Sequence, residues 1–251
     1  MWLFKRKEKN RGTEVTPKFT LKKSPPDGRD YLMVSAKLEL PKSYTILNLP
    51  PVRNQLNIGS CMSHTAIGAV EVQLMNKTPH RFLELSELYH YYCARHYINN
   101  QGDKDSGMTI RDGCKTLDKY HGASEYAWGY DTSKFNIKPP WWVFAVSGMY
   151  KIKRYELLMT ITSIKSSLIE NVPVMIGIKC YDSMLKLNLD NNTYSAKGNY
   201  LGGHAVLIVG YDTDGLFIRN SWGYKWGAQG YFYMKYTDFF NHSFDWYRCL
   251  I

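Results

Sequence analysis

Helical and extended patterning are segregated along this chain, and that segregation limits the folds open to it. Apolar residues recur at helical spacing in CMSHTAIGAVEVQLM (61–75), where Ala66, Ile67, Val70 and Leu74 fall on one face. Ser60 is placed to cap that helix, and Thr78-Pro79 to end it. A second helix fits SELYHYYCARHY (86–97). A third fits 110–120, with Thr109 and Asp112 at capping-box spacing and Gly122 past its end, and a shorter one around 160–170 stops before Pro173. From there the texture turns β-branched and aromatic: PVMIGIKCY (173–181), GHAVLIVGY (203–211), LFIRN (216–220), YFYMKY (231–236) and FDWYRCLI (244–251). Asp214-Gly215 marks a hairpin between the second and third of these. Helices first and strands later predict an α+β fold, not a doubly wound parallel sheet. The 251 residues suffice for one large domain or two small lobes sharing a cleft.

Composition narrows the chemistry. Hydrophobic residues make up 44% and charged residues 22%, the balance of a chain with a real core, which excludes wholesale disorder. No stretch reaches the ~18 apolar residues of a membrane-spanning helix. The start, MWLFKRKEKN, puts a short apolar patch before its basic cluster, the reverse of a secretory leader. Of the net charge of +10, half sits in residues 1–31, which hold nine Lys/Arg against Glu8, Glu14, Asp27 and Asp30. Residues 1–38, broken by Pro17, Pro25, Pro26 and Gly28, read as a basic extension: a solvated tail, a tether with a polyanion contact, or a segment packed across the back of the domain.

The five cysteines are odd in number, scattered, and without a CxxC, so neither a disulfide scaffold nor a zinc site is expected. A reducing compartment, cytoplasmic or within a virion, is the matching expectation. The question becomes whether one thiol is a nucleophile. Cys61 lies in the first turn of a helix, six residues after Gln55, in PPVRNQLNIGSCMSHTA. His204 opens a strand behind two glycines that let another chain approach closely, in GGHAVLIVGYD. Asn220 ends a strand before a Trp/Gly-rich turn, in FIRNSWGYKWGAQGYFYM. No GxxxxGK[ST], HExxH or GxSxG anchors a phosphate-loop, zincin or serine-hydrolase reading.

With PVRNQ and GSC, LSE at 85–87, GHAV at 203–206 and NSWGxxWGxxGY from Asn220 to Tyr231, the chain resembles the papain-like cysteine peptidases from about Leu40 onward. PPDGRDY and GMTIRDGCKTLDKYHGASEYAWGYD make it similar to their propeptide-poor bacterial, archaeal and viral members. The resemblance implies a two-lobed papain-like fold. A helical lobe (about 39–125) would carry Gln55 and Cys61, a β-rich barrel-like lobe (about 126–251) His204 and Asn220, with the active-site cleft between them. It implies an endopeptidase without cofactor or metal, acting on peptides or proteins through a Cys61 thioester. His204 would be the base and acid, Asn220 would orient it, Gln55 would hold the oxyanion and Trp222 would shield the Asn–His bond.

Physical chemistry agrees that a helix N-terminus and a nearby imidazole favour a thiolate–imidazolium pair at neutral pH. Gly107, Met108, Gly203 and Trp222 are the expected substrate contacts. His64, three residues after Cys61, stays open as a rival base, while the other cysteines read as core residues. Relative to the family pattern, Ile58 replaces a disulfide cysteine, Met62 replaces an aromatic, and the cleft's glycine pair is reduced to Ser106-Gly107. Two further functions stay open beside hydrolysis. One is a weakly active or inactive module with a structural or binding role, for example in a viral particle; the other is acyl transfer to an amine.

Overall fold

The chain folds, in order, into β1 (Tyr44–Thr45), α1 (Cys61–Lys77), α2 (Glu87–Cys93), α3 (Ile110–Tyr120), α4 (Trp141–Ser147), β2 (Arg154–Leu157) and α5 (Ile161–Ile169). There follow β3 (Val174–Tyr181), α6 (Asp182–Leu185), β4 (Thr193–Tyr194), β5 (Tyr200–Tyr211), β6 (Gly215–Arg219), β7 (Tyr231–Lys235), α7 (Tyr236–His242) and β8 (Ser243–Leu250). The structure, a computed structural model, describes residues 17–34, 39–78 and 82–251. This is the α+β two-lobed architecture expected from the sequence. The helix expected over 86–97 is shorter, because α2 widens into a π turn at Ala94–Ile98.

The strands join in one sheet of order β2-β8-β3-β5-β6-β7-β4, with β1 added on β5. All pairs are antiparallel except β4 with β7. The Asp214-Gly215 turn is the hairpin between β5 and β6: the Asp212 carboxylate accepts from the N–H groups of Asp214 (2.8 Å) and Gly215 (2.9 Å).

Helix α1 lies between the lobes, against β5 on one side and α2 and α3 on the other. That position explains why every residue from Cys61 to Gln73 is buried, polar ones included. An apolar stripe on one face is not enough for a helix covered all round. Met62 is wholly buried and packs on Gly113 of α3, where a Cβ would meet its Cε at 2.5 Å. It is therefore a core residue and does not face the cleft.

Two of the sequence motifs turn out to be one structural unit. Arg53 of PVRNQ binds Glu87 of LSE (Nε–Oε1 2.6 Å) and Glu71 of α1 (Nη2–Oε2 2.6 Å). Glu71 in turn accepts from the Leu85 N–H at 2.7 Å. Both carboxylates are buried, so removing Arg53 alone would leave them uncompensated, at a cost of about 3–5 kcal/mol. This network fixes the loop that leads into Cys61.

Candidate active site

Cys61 is the first residue of α1 and is 1% exposed. Its thiol lies against the backbone N–H groups of Met62, of Cys61 itself and of Ala205, the residue after His204. Helix and sheet thus meet at the sulfur. Ser60 occupies the N-cap position but makes no side-chain cap, contrary to the sequence expectation; its hydroxyl is engaged by Tyr130 instead.

His204 lies in the interior of β5, opposite Ile178 of β3, and is wholly buried. Its Nε2 is 2.7 Å from Asn220 Oδ1. The Ser221 N–H also donates to that oxygen at 2.8 Å, which fixes the orientation of the Asn220 amide. Oδ1 accepts, so Nε2 carries the proton and Nδ1 is left with its lone pair. Nδ1 is buried and makes no hydrogen bond to any described residue. The Trp222 ring lies 4.9 Å from the imidazole, tilted by 36°, with Trp226 packed behind it at 5.0 Å. The turn that carries Trp222 needs its glycines. Gly230 has φ +91°, and a Cβ there would strike Val52 at 2.6 Å.

Gln55 is fully buried beside this group. Its backbone N–H donates to Ser221 O (2.8 Å) and its Oε1 accepts from Ser221 Oγ (2.7 Å). One Nε2 hydrogen goes to Ile58 O at 3.2 Å. Ser221 therefore orients both Asn220 and Gln55, a role its place between Asn220 and Trp222 could have signalled. His64, by contrast, is committed elsewhere. Tyr130 and Ser60 share one hydroxyl bond, so the His64 Nδ1–H donates to Ser60 O at 3.1 Å, and burial pushes the imidazole down to about 3. The rival base is a neutral structural residue.

Residues 17–24 lie across the front of the site and not on the domain's back. The Leu21 N–H donates to Gly203 O at 3.1 Å, and Lys22 N–H to Met108 O at 3.5 Å. Phe19 meets the His204 and Trp222 rings edge-on, at 6.1 and 5.8 Å. Thr20 sits above Gly59 and Gly107. A Cβ on Gly203 would come 2.3 Å from Leu21 O, so the glycine before His204 admits this segment. All four expected substrate contacts touch it, Met108 through its carbonyl, while the Met108 side chain is buried in the same core cluster as Leu21. Beyond the site, Asp30 anchors the segment through a buried ion pair with Arg111 (2.5 Å) and a bond from Tyr247 (2.8 Å). The bases Lys5, Arg6, Lys7, Lys9 and Arg11, on which the polyanion expectation rests, fall outside the described residues.

Cover and burial change the electrostatics from those expected. Burial pushes the Cys61 thiol up to about 11, against the three N–H groups that favour the thiolate. Burial likewise lowers His204 to about 4, against the Asn220 bond. Both shifts run toward the uncharged thiol and imidazole, away from the ion pair expected from the sequence. Displacing the segment would lower the desolvation that drives both shifts.

The papain family cysteine protease model matches residues 41–243. The chain belongs to that family. It is 31% identical over 209 residues to the uncharacterized peptidase C1-like protein L477 of Acanthamoeba polyphaga mimivirus, covering 76% of this chain and 67% of that one. The viral cathepsin of Cydia pomonella granulosis virus is 28% identical over 195 residues, covering 72% of this chain and 53% of its own. Among solved structures, the cysteine protease xylellain from Xylella fastidiosa superposes with TM-score 0.83 at 27% identity, over 92% of this chain and 95% of that one. Procathepsin L 3 from Tenebrio molitor, at 23% identity and TM-score 0.69, shares the fold over 89% of this chain and 75% of its own. All five cysteines are free and buried, and among the described residues no helix is long and apolar enough to cross a membrane.

Proposed function

We propose that the protein is a cysteine endopeptidase whose site is covered by its own residues 17–24. The observation that carries this reading is the hydrogen bond from His204 Nε2 to Asn220, which leaves Nδ1 as an unengaged base in the strand whose next N–H meets the Cys61 sulfur. With the cover displaced, Nδ1 takes the thiol proton, and the helix N-terminus and the Ala205 N–H stabilise the thiolate. The sulfur attacks a peptide carbonyl. The oxyanion is held by the free Nε2 hydrogen of Gln55 and the Cys61 N–H, and His204 passes its proton to the leaving amine. Water, deprotonated by the same imidazole, then hydrolyses the thioester. Trp222 keeps solvent from the Asn220–His204 bond.

The test is Cys61→Ala. It should abolish peptide hydrolysis and leave the fold intact, and cleavage retained in that variant would sink the assignment. The burial of Cys61 and the shift of the pair toward its uncharged form favour a second reading, a papain-like module with a structural role. It requires that Cys61 stay unreactive even when residues 17–24 are displaced. Iodoacetamide labelling of a variant with the segment expelled separates the two. The sequence and the site suit acyl transfer to an added amine equally well, and product analysis distinguishes it from hydrolysis.

A further inference from the structure

One hydroxyl joins the two halves of the oxyanion-binding group. The Tyr130 Oη is 2.7 Å from the Gln55 carbonyl oxygen and 2.7 Å from Ser60 Oγ. A carbonyl can only accept, so Tyr130 donates to Gln55 and accepts from Ser60. Gln55 carries one oxyanion donor, and Ser60 immediately precedes the N–H of Cys61, the other. The spacing of the two donors is thus tied to a single oxygen atom.

The loop between them has reason to need such a tie. Leu56 has φ +56°, a left-handed conformation that is strained for a non-glycine residue and persists only where its surroundings impose it. Within the loop, Gln55 Nε2 reaches Ile58 O, and Asn54 Oδ1 accepts from the Leu56 N–H at 2.9 Å. Tyr130 itself is well held. Its N–H donates to Glu125 Oε1 at 2.7 Å, and its ring stands edge-on to His64, 4.9 Å away. Burial raises its hydroxyl well above the usual phenol range, so the donor to Gln55 keeps its proton. Ser60 makes no side-chain cap to α1, and the first-turn N–H groups of Cys61 and Met62 face the sulfur.

We propose that Tyr130 is a positioning residue that sets the distance between the Gln55 amide and the Cys61 N–H, and so the strength of the oxyanion site. The inference rests on the peptidase reading above. It separates reactions of Cys61 that generate an oxyanion from those that do not. Iodoacetamide alkylates the thiolate by displacing iodide, with no oxyanion. p-Nitrophenyl acetate acylates it through a tetrahedral oxyanion, the acetyl passing to sulfur as p-nitrophenolate leaves. All rates are taken in a Leu21→Asp background, where a carboxylate at a buried position expels the cover and opens the thiol to both reagents.

In the full chain, modification of Cys61 by each reagent is followed by peptide mass mapping. Tyr130→Phe should lower the ratio of acylation to alkylation about tenfold, less than the ~10²–10³ lost with an oxyanion donor itself. Ser60→Ala, which keeps the tyrosine ring in place, should lower it in the same direction by about threefold. A ratio unchanged in both folded variants overturns the role of Tyr130 and leaves the peptidase reading standing. A folded Leu21→Asp chain with Tyr130 and Ser60 intact that is alkylated at Cys61 but not acylated, or that reacts with neither reagent, overturns the peptidase reading and this inference with it.

Discussion

The Leu21 N–H donates to the carbonyl oxygen of Gly203, 3.1 Å away and one residue before His204. Through this bond the N-terminal segment makes an antiparallel bridge to the backbone that GGHAV presents to the cleft. Gly203→Ala places a methyl where the Leu21 carbonyl lies, 2.3 Å from the new Cβ. The Gly203 backbone itself accepts alanine, because its φ is not in the left-handed region. The variant should raise iodoacetamide labelling of Cys61 at least about tenfold over wild type; equal labelling rates would mean that residues 17–24 do not limit access.

Lys18 ties the segment to Asp105 (Nζ–Oδ2 2.6 Å), and the same carboxylate accepts from the Gly59 N–H (2.8 Å) in the loop before Cys61. The lysine is half exposed, so the pair contributes only about 0–1 kcal/mol and is screened by salt. Lys18→Glu should raise labelling by no more than about fivefold at low salt, and the difference from wild type should shrink in 0.5 M NaCl. A salt-independent effect of the same size would place the contact elsewhere.

Thiol burial makes a prediction in pH. With Cys61 held at about 11 in the covered form, its thiolate fraction rises about tenfold per unit throughout the range below that value. The logarithm of the labelling rate of the full chain should climb with near-unit slope from pH 6 to 10, without a plateau. A chain with the cover expelled should level off at lower pH, because water then solvates the thiolate. A plateau near neutrality in the full chain would show that the covered thiol is already ionised.

The cover is anchored away from the site by Asp30 and Arg111, whose side chains are both 6% exposed. Asp30→Ala leaves the guanidinium buried without its carboxylate and removes the acceptor of Tyr247, so it should destabilise the fold by about 3–5 kcal/mol in urea unfolding. A loss below about 1 kcal/mol would mean that the anchor is solvated and the segment loosely held.

The parts of the site legible in the sequence are those carried by local patterns. Cys61 at a helix start, His204 behind two glycines and Asn220 at a strand end each announce their surroundings within a dozen residues. The cover is not legible, because the alternation in PKFTLKK is too short to stand alone and its partners, Gly203 and Met108, lie about 180 and 90 positions away. Its one trace was the glycine pair at 202–203, which pointed to a close-approaching chain without saying which. Ser60 fails as a cap because its backbone (φ −92°, ψ 16°) lacks the extended conformation that turns a cap oxygen back to the first-turn N–H groups, which composition does not reveal. Helix α4 escaped because Trp141 and Trp142 face solvent, so its apolar residues mark no single buried face.

Cys61 should become a peptidase nucleophile once residues 17–24 leave the site. Leu21 is 6% exposed, and a carboxylate in its place is expelled by its desolvation cost while every residue of the proposed machinery is kept. The decisive measurement is the turnover of a mixed peptide library by the Leu21→Asp chain beside the same chain carrying Cys61→Ala. Cleavage by the first and none by the second is the predicted result. Cleavage by both, or by neither although Leu21→Asp exposes Cys61 to iodoacetamide, would contradict it.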